Sequence, residues 1–313
     1  ITIGAGIEKS SFQDTYSGRS KPSDPPGSLS MPKNLWTKDF MNPEVGLNYN
    51  SVFAQDEIKL TPQLTFTLGL RNDSFDRSKP TLNGIANLVY ENNNDTWRLT
   101  AGKTGRFPTL KELEGKGGNP NLKAEAAWNY EIDYRHRIPK SFDVEGALYY
   151  SAIHNLIQPV DPNDGFSIKE NISLVKIFGG EAGISKTFGS LNTRLGYTYI
   201  HRTSPPLTPD WEEVPMHKAT ADLKWDKDGS ICWAVQGIIQ SNKKTGDPAI
   251  KEIPGYGIVN VMMAYPTLAV TDDSKYNWNV VFKATNLFNV KYQDRLYYYA
   301  PGRWITGTVN IRF

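Results

Sequence analysis

The 313 residues carry 35 Lys and Arg against 33 Asp and Glu, a net charge of +2, too balanced to draw nucleic acid or an acidic substrate by its field. Apolar residues make up 39% and mean hydropathy is −0.49, and no run approaches the roughly 18 apolar residues of a membrane-spanning helix. A helical membrane protein is excluded; a β-barrel is not, because only alternate residues of its strands face lipid and an average hides them.

The chain opens on Ile1-Thr2-Ile3-Gly4-Ala5-Gly6, which has no basic, apolar or cleavage region of a signal peptide. It reads as the inside of a strand, so the expectation is a natural chain that begins earlier. From there a period of two recurs to the C-terminus. Leu64, Phe66, Leu68 and Leu70 alternate with Thr65, Thr67 and Arg71; Trp128, Tyr130, Ile132 and Tyr134 with Asn129, Glu131, Asp133 and Arg135. Leu191, Leu195, Tyr197 and Tyr199 do so with Asn192, Arg194 and Thr198, and Ala219, Ala221, Leu223 and Trp225 with Lys218, Thr220, Asp222 and Lys224. Trp278, Val280, Phe282 and Ala284 follow, with Val281 the exception on the polar side, then Ile305, Gly307, Val309, Ile311 and Phe313 against Thr306, Thr308, Asn310 and Arg312.

This pattern predicts about fourteen strands, at 1–14, 46–60, 64–75, 81–91, 96–104, 125–137, 142–153, 169–188, 190–202, 215–226, 230–241, 256–266, 276–287 and 303–313. Short turns such as 61–63, 91–95, 139–141, 189–190 and 226–229 alternate with long connections at 15–45, 105–124, 203–214, 242–255 and 288–302. If the C-terminus lies on the periplasmic rim, the short turns fall there and the long loops outside, as in an outer-membrane barrel. A soluble β-sandwich or propeller is the competing fold. Against it stand aromatic residues near strand ends, strands longer than the usual five or six residues, and a second face charged at several levels.

Asn286-Leu287-Phe288-Asn289-Val290-Lys291-Tyr292, then Tyr297-Tyr298-Tyr299-Ala300-Pro301-Gly302-Arg303 and a last strand ending in Phe313, closely resembles the C-terminal signature of TonB-dependent receptors. Similar stretches are Phe53-Ala54-Gln55-Asp56-Glu57-Ile58-Lys59-Leu60, Arg106-Phe107-Pro108-Thr109-Leu110-Lys111-Glu112-Leu113, Gly118-Asn119-Pro120-Asn121-Leu122, and Val214-Pro215-Met216-His217-Lys218-Ala219. The resemblance implies an all-β, antiparallel transmembrane barrel. Residues 1–313 would supply about fourteen strands of a barrel of about 22 whose lumen holds a plug, with plug and first strands not in this sequence. An open sheet would leave two unpaired edges, which hydrocarbon does not tolerate, so either missing strands complete it or the fragment closes as a smaller barrel.

It further implies residence in the bacterial outer membrane among its lipids, and active uptake of a scarce metal chelate, ferric siderophore or cobalamin. Energy would come from the TonB complex, through a region upstream of residue 1, and insertion from the barrel assembly machinery, with Phe313 as the assembly signal. Neither cofactor nor nucleic-acid partner is implied. Rim residues able to stack on or hydrogen-bond a bulky chelate are Trp36, Arg106, Trp211, Arg295, Tyr297, Tyr298 and Tyr299, the tyrosines having the aromatic girdle as their alternative role. Haem-transporting members carry a histidine between the two loop motifs; Thr109 to Gly118 contains none, which argues against haem.

Other motifs have bland readings. His136, His154, His201 and His217 fit no metal spacing and read as rim or lumen residues. Cys232, the one cysteine, excludes a cysteine-based metal site. Gly102-Lys103-Thr104-Gly105 and Gly115-Lys116-Gly117-Gly118 lack the spacing of a phosphate loop. Asp161-Pro162-Asn163-Asp164-Gly165 opens like a calcium loop but has Ile172 where Glu is needed. No Ser/His/Asp constellation stands out, so no catalytic residue is expected. Two other functions stay open, a passive channel of about fourteen strands and an outer-membrane barrel enzyme.

Overall fold

The structure is a computed structural model. It describes residues 1–12, 45–115, 118–138, 142–159, 168–203, 213–227, 231–245, 249–265 and 277–312. Fourteen strands form one antiparallel sheet in which each is hydrogen-bonded to its neighbour in sequence. They are β1 (Thr2–Phe12), β2 (Val45–Lys59), β3 (Leu64–Phe75), β4 (Ser78–Glu91), β5 (Asp95–Arg106), β6 (Glu125–Ile138), β7 (Phe142–Pro159), β8 (Lys169–Phe188), β9 (Leu191–Thr203), β10 (His217–Trp225), β11 (Cys232–Gln240), β14 (Tyr256–Tyr265), β15 (Asn277–Thr285) and β18 (Trp304–Arg312). Five small elements sit in the connections. The helix α1 (Leu110–Glu114) follows β5, β12 (Lys243–Lys244) pairs with β13 (Glu252–Ile253), and β16 (Gln293–Arg295) pairs with β17 (Tyr298–Tyr299).

Register sorts the side chains onto two faces. Leu68 lies opposite Ala86, Ala86 opposite Ala101, Ala101 opposite Tyr130, Tyr130 opposite Tyr150 and Tyr150 opposite Phe178. Because pairing never slips along this row, most apolar residues of the strands share one face and most charged residues the other, with Asp56, Lys103 and Lys176 among the charged exceptions on the apolar side. The apolar face is laid open: Leu148 is 56% exposed, Leu195 57% and Phe282 56%. A soluble sheet would bury such side chains, whereas lipid solvates them. Aromatic pairs cap this face at the short-turn rim, with Trp97 on Tyr134 at 4.3 Å and Trp225 stacked on Trp233 at 6.5 Å.

The expected strands are all present, with corrections at their ends. Asp76-Arg77 is a two-residue turn on the long-loop rim, so the division of short turns from long loops is not absolute. The strand expected to stop at 153 runs to Pro159, with Asn155 at φ 56° as its irregularity. Among the described residues β1 and β18 end the sheet without pairing with each other.

Candidate ligand-binding rim and lumen

The inward face carries charge at mid-depth. A polar cavity of about 620 Å³ is lined by Arg98, Asp133, Glu145, Glu181, Arg194 and Lys218 among others. Arg194 pairs with Glu145, and Asp133 Oδ2 finds no partner among the described residues. An unpaired buried carboxylate oxygen beside a wide polar space calls for water or a polar partner, not a dry core.

Above it, at the long-loop rim, the connection after β5 folds back onto the wall. Phe107 lies edge-on to Tyr49 at 6.0 Å and stacks on Phe75 at 5.2 Å. Leu110, Leu113, Leu122 and Ile157 form a small buried cluster with Phe75 against it. Thr109 and Glu112 close a capping box over the first turn of α1, satisfying its orphan amides. Asn119 Nδ2 donates to the Lys169 carbonyl at 2.9 Å, tying this loop to β8.

Arg106 joins the two ends of the loop. Its Nε and Nη2 donate to Glu125 at 2.8 and 2.6 Å, and Nη1 and Nη2 to Glu112 at 2.9 and 3.2 Å. Burial would raise the Glu112 pKa, but hydrogen bonds from Arg106 and from the Thr109 amide more than offset it and hold the carboxyl below its ordinary value. A depressed folded pKa means that stabilisation is present above the unfolded carboxylate range and is lost as pH falls through the folded value. E112Q is therefore expected to raise hydrogen exchange of the 109–115 amides at neutral pH and to remove the acid-induced rise expected of the parent. An unchanged exchange profile would overturn the clamp.

A second assembly stitches three connections together. Glu213, ahead of β10, accepts from Arg295 Nε at 3.2 Å and from the Leu296 amide at 3.0 Å. Lys243, in β12 and 5% exposed, donates to the Asp294 carbonyl at 2.7 Å, and Tyr256 donates to Asp294 Oδ1 at 2.5 Å. Tyr256 and Tyr292 pack with ring centroids 4.0 Å apart. These contacts fix the β16–β17 hairpin, on which Tyr297, Tyr298 and Tyr299 are 64%, 71% and 78% exposed. Tyr297 sits at φ 65° in the tight turn.

Beneath it lies the Asn286–Val290 turn. Asn286, 3% exposed at φ 50°, donates Nδ2 to the Val290 carbonyl and accepts at Oδ1 from the Val290 amide, each at 2.8 Å. Asn289 Oδ1 accepts from the Arg303 amide at 2.9 Å. A Cβ on Gly302 would come within 2.5 Å of that oxygen, so glycine lets the strand leading to β18 approach the turn.

Of the residues expected to meet a ligand, the structure brings Arg295 and the three tyrosines onto one hairpin and sets Arg106 in its own clamp on the β5–β6 connection. Trp36, Trp211 and Phe313 lie outside the described residues, as do Lys116 and Gly117 and the segment 160–167 with its calcium-like start. Gly102 to Gly105 lie within β5 and form no loop. His136 sits at the short-turn rim, 2.7 Å from Asp95 Oδ1, and His217 is 2.7 Å from the Tyr197 hydroxyl on the outward face. By register His154 and His201 also face outward, near the long-loop ends of β7 and β9, so of the expected rim or lumen positions the rim fits them and the lumen does not. Among the described residues no group of three or more His, Cys, Asp or Glu could hold a metal ion.

An antiparallel sheet with an open apolar face, aromatic bands, a charged inner face and structured loops on one rim defines a membrane-spanning β-barrel wall. Residues 3–287 match the model of the TonB-dependent receptor-like β-barrel family. The chain belongs to that family, whose barrels lie in the bacterial outer membrane and serve receptors, not enzymes. Similar solved structures include the ferric enterobactin receptor of Pseudomonas aeruginosa, with TM-score 0.74 and 18% identity over 99% of this chain and 50% of that one. The siderophore receptor PirA of Acinetobacter baumannii has TM-score 0.74 and 17% identity over 98% and 51%. The FrpB iron transporter of Neisseria meningitidis has 0.67 and 17% over 84% and 45%. The chain thus spans about half the length of these solved receptors. No curated protein matches it in sequence.

Proposed function

We propose that this chain is the C-terminal barrel portion of an active outer-membrane transporter that captures a ferric siderophore and is energised through TonB. The observation that carries the reading is the stitched hairpin, which holds Arg295 and Tyr297–Tyr299 out from the wall on the rim of a barrel of this family. Rigid exposed aromatics bind bulky planar groups at low entropic cost, and a guanidinium suits an anionic chelate. Siderophore and iron receptors of the same fold support iron over cobalamin as cargo. Arg106, Trp36 and Trp211 remain proposed contacts. A plug and the remaining strands of a barrel of about 22 would come from elsewhere in the full-length receptor.

The test uses the full-length receptor in a strain deprived of its own siderophore receptors. Uptake of radioactive iron from ferric siderophores should depend on TonB, and the double variant Tyr298→Ala with Tyr299→Ala should weaken ligand binding roughly tenfold or more at unchanged membrane abundance. TonB-independent leakage of small solutes with no uptake would instead establish a passive channel.

A further inference from the structure

Lys103 does not obey the alternation of its strand. It shares parity with Trp97, Leu99 and Ala101, on the apolar side, while Arg98, Thr100 and Thr104 face inward. Register carries the row across the sheet: Lys103 is opposite Trp128, Trp128 opposite Ala152, and Ala152 opposite Lys176. Lys176 is therefore also on the outward face, three strand spacings or about 14 Å away. Neither lysine has an ion pair among the described residues.

Directly below this row, toward the short-turn rim, lies an apolar groove of about 480 Å³ lined by Leu88, Leu99, Tyr130, Leu148, Tyr150 and Phe178 among others. Ala86 and Ala101 also line it, and the Tyr130–Tyr150–Phe178 row stands two residues, about 6.6 Å, from the lysines. Nothing acidic stands beside the lysines on this face: the residues flanking Lys176 on its strand and row are Leu174, Phe178, Ala152 and Thr203. A snorkelling lysine needs only water for its head. Two cations set at one level over a hydrocarbon-lined groove are complementary to a molecule with acyl chains and an anionic head.

We propose that the outward face of β5–β8 is a lipid site that takes a phosphorylated acyl glycolipid of the outer leaflet, of the lipid A type, with its phosphates on Lys103 and Lys176 and an acyl chain in the groove. The site is independent of chelate uptake through the lumen.

The experiment takes the full-length receptor in detergent micelles doped with hexa-acylated lipid A, or with the same lipid stripped of phosphate, and counts bound lipid by native mass spectrometry. Lipid A should be retained in preference to the dephosphorylated form. The double variant K103Q/K176Q should lower its apparent affinity roughly 10- to 30-fold, while K218Q, on the inward face, should leave it unchanged. Inorganic phosphate at millimolar concentration should not displace the lipid, since it cannot use the groove. Equal retention by K103Q/K176Q and the parent, or equal binding of both lipids, would overturn the proposal. A folded double variant is verified by its unshifted mobility in unheated gels.

Discussion

Replacing Asn286 by alanine is expected to destabilise the barrel by about 3 kcal/mol, seen as a lower urea midpoint in detergent micelles. Three losses combine. The Val290 amide and carbonyl both lose their side-chain partner inside a site only 3% exposed, and each unsatisfied buried group costs about 1–3 kcal/mol before relaxation. The residue also holds φ at 50°, a left-handed conformation that asparagine tolerates and alanine enters at about 1 kcal/mol or more. The glycine variant separates the two contributions, since it keeps the backbone freedom and loses only the hydrogen bonds. Its midpoint should fall between alanine and the parent; equality with the parent would show that the side-chain bonds contribute nothing. Because the turn also receives Arg303 through Asn289, the alanine variant should loosen the pairing of β15 with β18 before other strands.

Seen this way, the motif that marks the family in the sequence is a clamp between the end of one strand and the start of the last. Its recognition needed no structure, but its reason did, because Asn286 and Pro301 are joined only by the fold. The positions of the fourteen wall strands were legible, their ends less so. The expected limits at 64–75 and 169–188 coincide with β3 and β8, since alternation is set by residue parity and the turns between them are rich in proline, glycine and asparagine. The end of β7 was not legible: Asn155-Leu156-Ile157-Gln158-Pro159 looks like a loop, and it extends only because it finds Ile172, Asn171, Glu170 and Lys169 opposite. The helix α1 was legible and missed, for Thr109-Leu110-Lys111-Glu112 is a capping-box sequence.

The site was legible only in part. Exposed tyrosines and Arg295 could be named from loop composition, yet the groups that hold them, Glu213, Lys243 and Asp294, come from three separate connections and share no spacing. Lys103 was visible as a cation of the wrong parity, but its relation to Lys176 depends on register across β6 and β7. Local pattern thus fixes which face a residue occupies, and pairing fixes which residues meet on it.

The same reasoning applies to Asp73, whose replacement by alanine is expected to cost about 2–3 kcal/mol. Its carboxylate is 4% exposed and accepts from Tyr49 Oη at 2.5 Å, Arg71 Nε at 2.7 Å and Asn83 Nδ2 at 2.5 Å. Arg71 can turn to water because its side chain is 46% exposed, so the cost falls below that of breaking a fully buried ion pair. Tyr49 and Asn83 cannot recover as easily. Loss of the Tyr49 anchor also reaches the loop, since Tyr49 supports Phe107 and, through Phe75, the Leu110–Leu113 cluster. D73N should be far milder, under about 1 kcal/mol. Asn83 Oδ1 has no partner in the present arrangement, so rotating its amide lets that oxygen accept from the new amide while Tyr49 keeps its acceptor. Urea midpoints of the two variants test the ranking, with hydrogen exchange at 109–115 reporting the loop. If D73N proves as damaging as D73A, the charge on Asp73, and not the number of bonds it accepts, holds this corner of the barrel.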